Sequence, residues 1–318
     1  MNLPRLLSVC MLTGLAACIA TPHDPTPQLA ADDTSAPPVE VLLYAETTRP
    51  DDQGRIVVPV MLNDQGPFYF MLDTGATHTV ITRQALEQLG LQADERRPVL
   101  LRGVSNVKRV PTVVVNSMQA GSLQFNKVRM PVLSGFVVEG LDGILGIDSL
   151  GDNRVSADFQ NDSIRITNAN GVPADKGYSV VAFNRISRPL VMINARVGGV
   201  PTRAIIDTGG AHTLGNTALL KALLRQARGK LAGARQSEVT DATDTSQQTL
   251  LAPVPRIAFG PVAVMNLPVS FGEFSVFDIW GVNDRPTLLI GMDALGLLSG
   301  LTIDYRRKEL HIARVTDN

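Results

Sequence analysis

Short apolar runs separated by turn residues dominate the chain, and long amphipathic stretches are few. That spacing predicts strands more than helices. Residues 56 to 62 (Ile-Val-Val-Pro-Val-Met-Leu) read as a strand, and residues 63 to 67 (Asn-Asp-Gln-Gly-Pro) as a turn. Residues 68 to 72 read as a second strand, which leaves Asp73 at its end. Residues 82 to 91 fit a short helix with a capping Thr82, apolar Ala85, Leu86 and Leu89, and Gly90 near its end. Strands are expected at 110 to 115, 127 to 133 and 163 to 167. Between the last two, residues 141 to 150 (Leu-Asp-Gly-Ile-Leu-Gly-Ile-Asp-Ser-Leu) form a closing element.

The same order then recurs. Residues 190 to 195 read as a strand, Gly198-Gly199 as a turn, and residues 202 to 206 lead into Asp207. Asn216 is placed to cap a longer helix reaching about residue 228, with Leu219, Leu220, Leu223 and Leu224 on its apolar face. Residues 233 to 249 are polar and are expected to be a mobile loop. Strands follow at 254 to 259 and 267 to 271, then a second closing element at 287 to 296 and a hairpin at 301 to 313. Asp73 and Asp207 lie 134 positions apart, and Gly146 and Gly291 lie 145 apart. Landmarks in one order at nearly one spacing indicate an internal duplication. The second half carries 11 extra residues, expected in its longer helix and polar loop.

The 318 residues, 44% apolar and 19% charged, suffice for one large core or two smaller ones. A net charge of −1 argues against nucleic acid as a partner, because phosphate binding leaves a basic excess. Four His and two Cys leave little material for a zinc site, and no cofactor or metal is called for.

The repeat carries one tripeptide twice: Asp73-Thr74-Gly75 and Asp207-Thr208-Gly209. One copy is a weak motif. Two copies, each behind an apolar strand and each followed by the same closing element, point to a shared site. Two carboxyls brought within about 3 Å cannot both ionise easily, so they share a proton. The ionised partner then activates a water and the protonated one polarises a peptide carbonyl. Gly75 and Gly209 suit a backbone passing close to the opposite lobe, and the hydroxyls of Thr74 and Thr208 can tie the two loops together. His78 and His212 hold equivalent places and are explained by repeat symmetry. Trp280, the only Trp, lies between expected strands; burial in the core is the first reading, and lining of the substrate cleft is the other.

At these residues the chain resembles the aspartic proteases, over most of residues 55 to 314. The resemblance rests on the two Asp-Thr-Gly motifs and on Ile144-Leu145-Gly146 and Leu289-Ile290-Gly291, elements that thread under the Asp loops in that family. The compact halves look more like two fused retropepsin units than like a full pepsin, and the nearest look-alikes are exported bacterial retropepsin-like enzymes. The resemblance implies a mostly β, bilobal fold with a cleft between lobes 51 to 170 and 178 to 315. It implies Asp73 and Asp207 as catalytic residues and a peptide or protein as substrate. A monomer is expected. Two features depart from the family pattern. Gly210 stands where the family usually has Ala or Ser. Residues 101 to 107 carry no Tyr, so Gly103, Val104 and Ser105 resemble a retropepsin flap, with Gly103 as its hinge. The second flap is expected around residues 238 to 249.

Residues 1 to 18 read as an export signal, with Arg5 followed by an apolar stretch too short to span a bilayer. Leu15-Ala16-Ala17-Cys18 resembles the lipobox of bacterial lipoproteins, which implies a lipid on Cys18. Residues 19 to 50, rich in Pro, Thr, Asp and Ala, are expected to be a disordered tether. The implied place is the cell envelope: an outer-membrane lipoprotein facing the periplasm, with the inner membrane as the other option. A second reading of the same fold is a catalytically silent peptide-binding or scaffolding lipoprotein.

Overall fold

In the computed structural model, residues 40–47, 49–51, 53–133, 140–169, 173–186 and 190–313 are described. The signal segment, Cys18 and the first part of the tether lie outside them. The first half contains strands β1 (Glu40–Thr47), β2 (Arg49–Pro50), β3 (Ile56–Leu62), β4 (Gln65–Leu72), β5 (Val80–Thr82), β6 (Asp94–Arg102), β7 (Val107–Ala120), β8 (Leu123–Leu133), β9 (Gly143–Leu145), β10 (Arg154–Asp158) and β11 (Ser163–Ala169). The second contains β12 (Tyr178–Ala182), β13 (Asn184–Ile186), β14 (Leu190–Val197), β15 (Val200–Ile206), β16 (Leu214–Asn216), β17 (Arg235–Thr240), β18 (Ser246–Phe259), β19 (Val262–Gly272), β20 (Thr287–Ile290), β21 (Gly300–Asp304) and β22 (Glu309–Ala313). Among the described residues there are four short α-helices, α1 (Arg83–Gln88), α2 (Thr217–Gln226), α3 (Ser275–Ile279) and α4 (Met292–Leu295), and a 3-10 turn at Ile147–Ser149.

The fold is mostly β and bilobal. One sheet runs β2-β3-β4-β9-β5-β8-β7-β6 and the other β13-β14-β15-β20-β16-β19-β18-β17. These are one topology written twice. Each sheet also pairs back on itself, β3 with β7 and β14 with β18, which wraps it around its own core. Each lobe opens on a two-residue hairpin. Asn63 and Asp64 carry φ of 49° and 60°, and Gly198 and Gly199 carry 54° and 87°. Such turns need two left-handed residues, which Asn, Asp and Gly supply at least cost.

Burial explains why an acid ends each central strand. β4 is exposed over Gln65–Pro67 and fully buried over Phe70–Leu72, and β15 is likewise fully buried over its last three residues. Phe70 and Ile206 are both 0% exposed. Burying such a side chain contributes about 1.5–3 kcal/mol, so the register of each strand is firmly set. The helices are capped as expected. The Thr82 hydroxyl accepts the N–H of Ala85, and the Asn216 side chain accepts that of Leu219.

A third sheet, β1-β11-β10-β21-β22-β12, joins the two halves beneath the lobes. Its central pairing sets Arg154 opposite Asp304. Their side chains are 2% and 0% exposed, with Nε 3.6 Å from Oδ2. The Arg154 guanidinium also donates to the carbonyl of Pro173.

Two expectations need correction. The tether does not run extended to residue 50, because Glu40–Thr47 pairs with β11 as an edge strand. Residues 233 to 249 are not an unstructured loop. They form a hairpin of β17 and β18, in which polar residues alternate on a two-stranded arm too exposed to show an apolar signal. Residues 275 to 279, between β19 and β20 as expected, form a short helix. The extra length of the second half lies partly where expected. The cap-to-strand interval grows from 12 residues (Thr82 to Asp94) to 19 (Asn216 to Arg235). The rest sits around α3 rather than in the polar hairpin. Among the described residues, no helix is long and apolar enough to cross a membrane.

Removing one partner of a buried ion pair strands the other charge. Arg154→Leu is therefore expected to lower the unfolding free energy by about 3–5 kcal/mol. A urea titration checks this as a lower midpoint with an unchanged slope.

Candidate active site

The two acids arrive in the same way. In each lobe the closing strand runs parallel beside the Asp strand, β9 beside β4 and β20 beside β15. Its end holds the backbone of the acid. The Asp73 N–H donates to the carbonyl of Leu145 and that of Asp207 to Ile290, both at 3.0 Å. The Ile-Leu-Gly and Leu-Ile-Gly elements thus pass under the Asp loops. Gly146 and Gly291 lie against the chain at His78 and His212, where a β-carbon would come within 2.6 and 2.7 Å of backbone atoms.

Each carboxyl is clamped by its own loop. Asp73 Oδ1 accepts the N–H groups of Gly75 (2.7 Å) and Ala76 (2.9 Å). Asp207 Oδ1 accepts those of Gly209 (3.0 Å) and Gly210 (3.1 Å). The two carboxyls lie against each other across the lobe boundary, close enough for each to shift the other's ionisation. Gly75 and Gly209 make this approach possible. A β-carbon on Gly75 would lie 2.7 Å from Asp207 Oδ1, and one on Gly209 would lie 2.2 Å from Asp73 Cγ. Each glycine therefore leaves room for the acid of the opposite lobe.

Beneath the acids the two threonines cross over. The Thr74 N–H donates to Thr208 Oγ1, and the Thr208 N–H to Thr74 Oγ1, both at 3.1 Å. The Thr74 hydroxyl donates to the carbonyl of Ile206 and the Thr208 hydroxyl to that of Leu72. Both residues are buried, so every donor here needs its partner.

The environment pushes both acids the same way. Burial raises Asp207 well above the usual carboxylate range, and the charge of Asp73 raises it further. Burial also raises Asp73, opposed by the N–H of Gly75, by the neighbouring Asp207 side chain, by the N–H of Ala76 and by the positive charge of Arg55. The pair therefore holds one proton, and Arg55 biases the negative charge toward Asp73. Arg55 is 3% exposed and bonds Asp51 through Nε at 2.5 Å.

Two cavities flank the acids. One, of about 200 Å³, is mostly apolar and includes Val80, Leu101, Leu133, Ile144, Val276 and Trp280 beside Asp73. The other, of about 850 Å³, includes the charged or polar side chains of Arg55, His212, Glu238 and Asp241 beside Asp73 and Gly209. The hairpin tip with Gly103 and Val104 borders the first, and Val104 reaches the second. Ser105 sits on the same tip.

Several residues of this site escaped the reading of the sequence. Asp148 accepts the N–H and hydroxyl of Thr79, and Asp293 does the same for Thr213. Those threonine hydroxyls in turn accept the N–H of Gly146 and Gly291. This brace locks each Asp loop onto its closing element. The available signal was positional, an acid two residues past the closing glycine in both halves. Arg55, before the first strand, carried no such signal. Trp280 is not simply a core residue: it packs edge-on against Phe277 and also lines the apolar cavity. His78 and His212 border different cavities, and among the described residues no group of three or more potential metal ligands comes together.

The aspartyl protease family matches residues 58–149 and 193–294, one segment in each lobe. The chain belongs to that family, in its retropepsin-like form. Among curated proteins, none matches it.

Two predictions follow the geometry. Gly209→Ala drives a methyl into Asp73 and is expected to cost about 1–3 kcal/mol. Gly210→Ala places its β-carbon 3.0 Å from the end of the Asp207 side chain, where Ala76 is accommodated in the other lobe. It is expected to cost less than about 1 kcal/mol. Chemical unfolding of the two variants checks the contrast. The second prediction concerns pH. Acids whose folded pKa is raised contribute stability that is present at low pH and lost as pH climbs through the raised values. Stability should therefore fall above the usual carboxylate range, and Asp207→Asn should flatten that fall in the same assay.

Proposed function

We propose that the protein is an aspartic endopeptidase with Asp73 and Asp207 as its catalytic pair. One observation carries the reading: two carboxyls from separate lobes lie against each other and shift each other's ionisation, with Asp207 buried and Asp73 opening onto two cavities. A pair sharing one proton holds a general base and a general acid side by side. Ionised Asp73 takes a proton from a water seated between the carboxyls. Protonated Asp207 hydrogen-bonds the carbonyl oxygen of the peptide bond. The water oxygen adds to the carbonyl carbon while Asp207 passes its proton to the carbonyl oxygen, which gives a tetrahedral diol. Asp73, now protonated, passes its proton to the amide nitrogen as the carbon–nitrogen bond breaks. Asp207 recovers a proton from the diol as the new carboxyl group forms. The two acids thus exchange roles within one cycle.

Family membership supports a peptide or protein substrate. The apolar cavity beside Asp73 favours an aliphatic side chain next to the bond cleaved, in keeping with the low aromatic content of 5%. We further propose that lipid on Cys18 tethers the enzyme to a bacterial envelope membrane, with residues 19 to 39 as spacer. A silent binding protein would gain nothing from holding two acids against each other, an arrangement that costs stability.

The test is cleavage of peptides by the wild-type protein and by Asp73→Asn and Asp207→Asn. Each variant is expected to lose at least about 100-fold in kcat, the scale of general acid–base catalysis. Equal cleavage by all three would remove the proposal. The wild-type rate should be bell-shaped in pH. It falls on the acid side as Asp73 takes up a proton and on the alkaline side as Asp207 gives its own up. With both values raised, the whole bell lies above the usual carboxylate range.

A further inference from the structure

The cleft is roofed by a bond between the two halves. The turn after β6, residues 103 to 106, meets the turn after β17, residues 241 to 245. Asp241 is 4% exposed. Its Oδ1 accepts the N–H of Thr243 (2.8 Å), the hydroxyl of Thr243 (2.6 Å) and the N–H of Thr245 (3.2 Å), all within its own turn. Its Oδ2 reaches the other half and accepts the N–H of Ser105 at 2.7 Å. The contact is close enough to demand glycine next door. A β-carbon on Gly103 would lie 2.4 Å from Asp241 Oδ2. The same tip is held from a second side. The Val104 carbonyl accepts the N–H of Val276 (3.0 Å) and the Ser275 hydroxyl (3.3 Å) at the start of α3.

The duplication is broken here. The first half offers backbone groups of a hairpin tip and the Asn106 side-chain amide, which donates to Thr245 Oγ1 at 3.4 Å. The second half offers a buried carboxylate and the start of α3. The clasp also lies where a substrate must pass. Gly103, Val104 and Thr243 border the apolar cavity, and Val104 and Asp241 border the larger one. A polypeptide lying across Asp73 and Asp207 runs beneath it, and one arriving from the side must first part it.

We propose that Asp241 is a positioning residue: a carboxylate latch that draws the hairpin tip at Ser105 down over a bound peptide. The latch restricts the enzyme to extended single strands, because a folded segment does not fit beneath the joined tips. This rests on the reading of Asp73 and Asp207 as a protease pair. The latch is built to open. The Ser105 hydroxyl oxygen is buried with no hydrogen-bond partner among the described residues, which opposes closure. The charge-assisted bond from Asp241 favours closure.

Asp241→Asn isolates this bond. The amide oxygen replaces Oδ1 and keeps the three bonds within the turn, while the amide NH2 cannot accept from Ser105. Gly103→Ala attacks the same contact from the other side and serves if the first variant folds poorly. Neither residue touches the catalytic carboxyls. Amide hydrogen exchange in the full chain should show Ser105 exchanging about tenfold faster in either variant, with Thr74 and Thr208 unchanged. With an extended aliphatic peptide, kcat should fall about tenfold, and the double variant should fall no further than either single one. Unchanged Ser105 exchange in both variants overturns the latch. Faster exchange with unchanged kcat overturns its positioning role. Should the wild type cleave nothing, the protease reading fails on its own, and the Ser105 exchange still decides whether the latch exists.

Discussion

Two carboxyls meet face to face in a buried space, and such a pair is stable only if it keeps one proton between its members. Much of the structure serves to hold them there. Each acid closes a strand whose last three residues are buried, so neither can retreat without exposing its strand. Each accepts two N–H groups from its own loop, and each faces the glycine of the other loop. The crossed threonines fix the spacing from below, where a small shift in either lobe would break several bonds at once.

The symmetry of the frame and the asymmetry of its contents do different jobs. Equal topology in the two lobes brings equal groups to one axis. Unequal surroundings then divide the labour. Arg55 favours charge on Asp73, and burial together with that charge keeps the proton on Asp207. The cavities differ too: Leu133, Val276 and Trp280 line one, and Arg55, Glu238 and Asp241 line the other. The hairpin tips differ most, since one supplies backbone donors and the other a carboxylate.

Much of this was legible in the sequence, for physical reasons. A doubled motif at nearly constant spacing encodes duplication directly, and short apolar runs before Asp73 and Asp207 encode buried strands. The helix caps at Thr82 and Asn216 were visible because capping is local. The illegible parts depend on partners far away in the chain. Glu40–Thr47 looks like a linker until β11 pairs with it. The polar hairpin of β17 and β18 looks like a loop because its arm has no core to face. Asp241 looks like an ordinary turn acid, and only its contact with Ser105, 136 positions earlier, distinguishes it. The brace by Asp148 and Asp293 could have been found, since it repeats at one offset in both halves.

The account turns on whether Asp73 and Asp207 titrate as one unit. Carbon-13 NMR of the aspartate carboxyl carbons, followed across pH and assigned with single Asn variants, reads this directly. The account predicts two linked steps, with one proton held well above the usual carboxylate range, and a simpler single step for either acid when the other is Asn. Two independent titrations, both within the usual range and unaffected by the other's replacement, would contradict it.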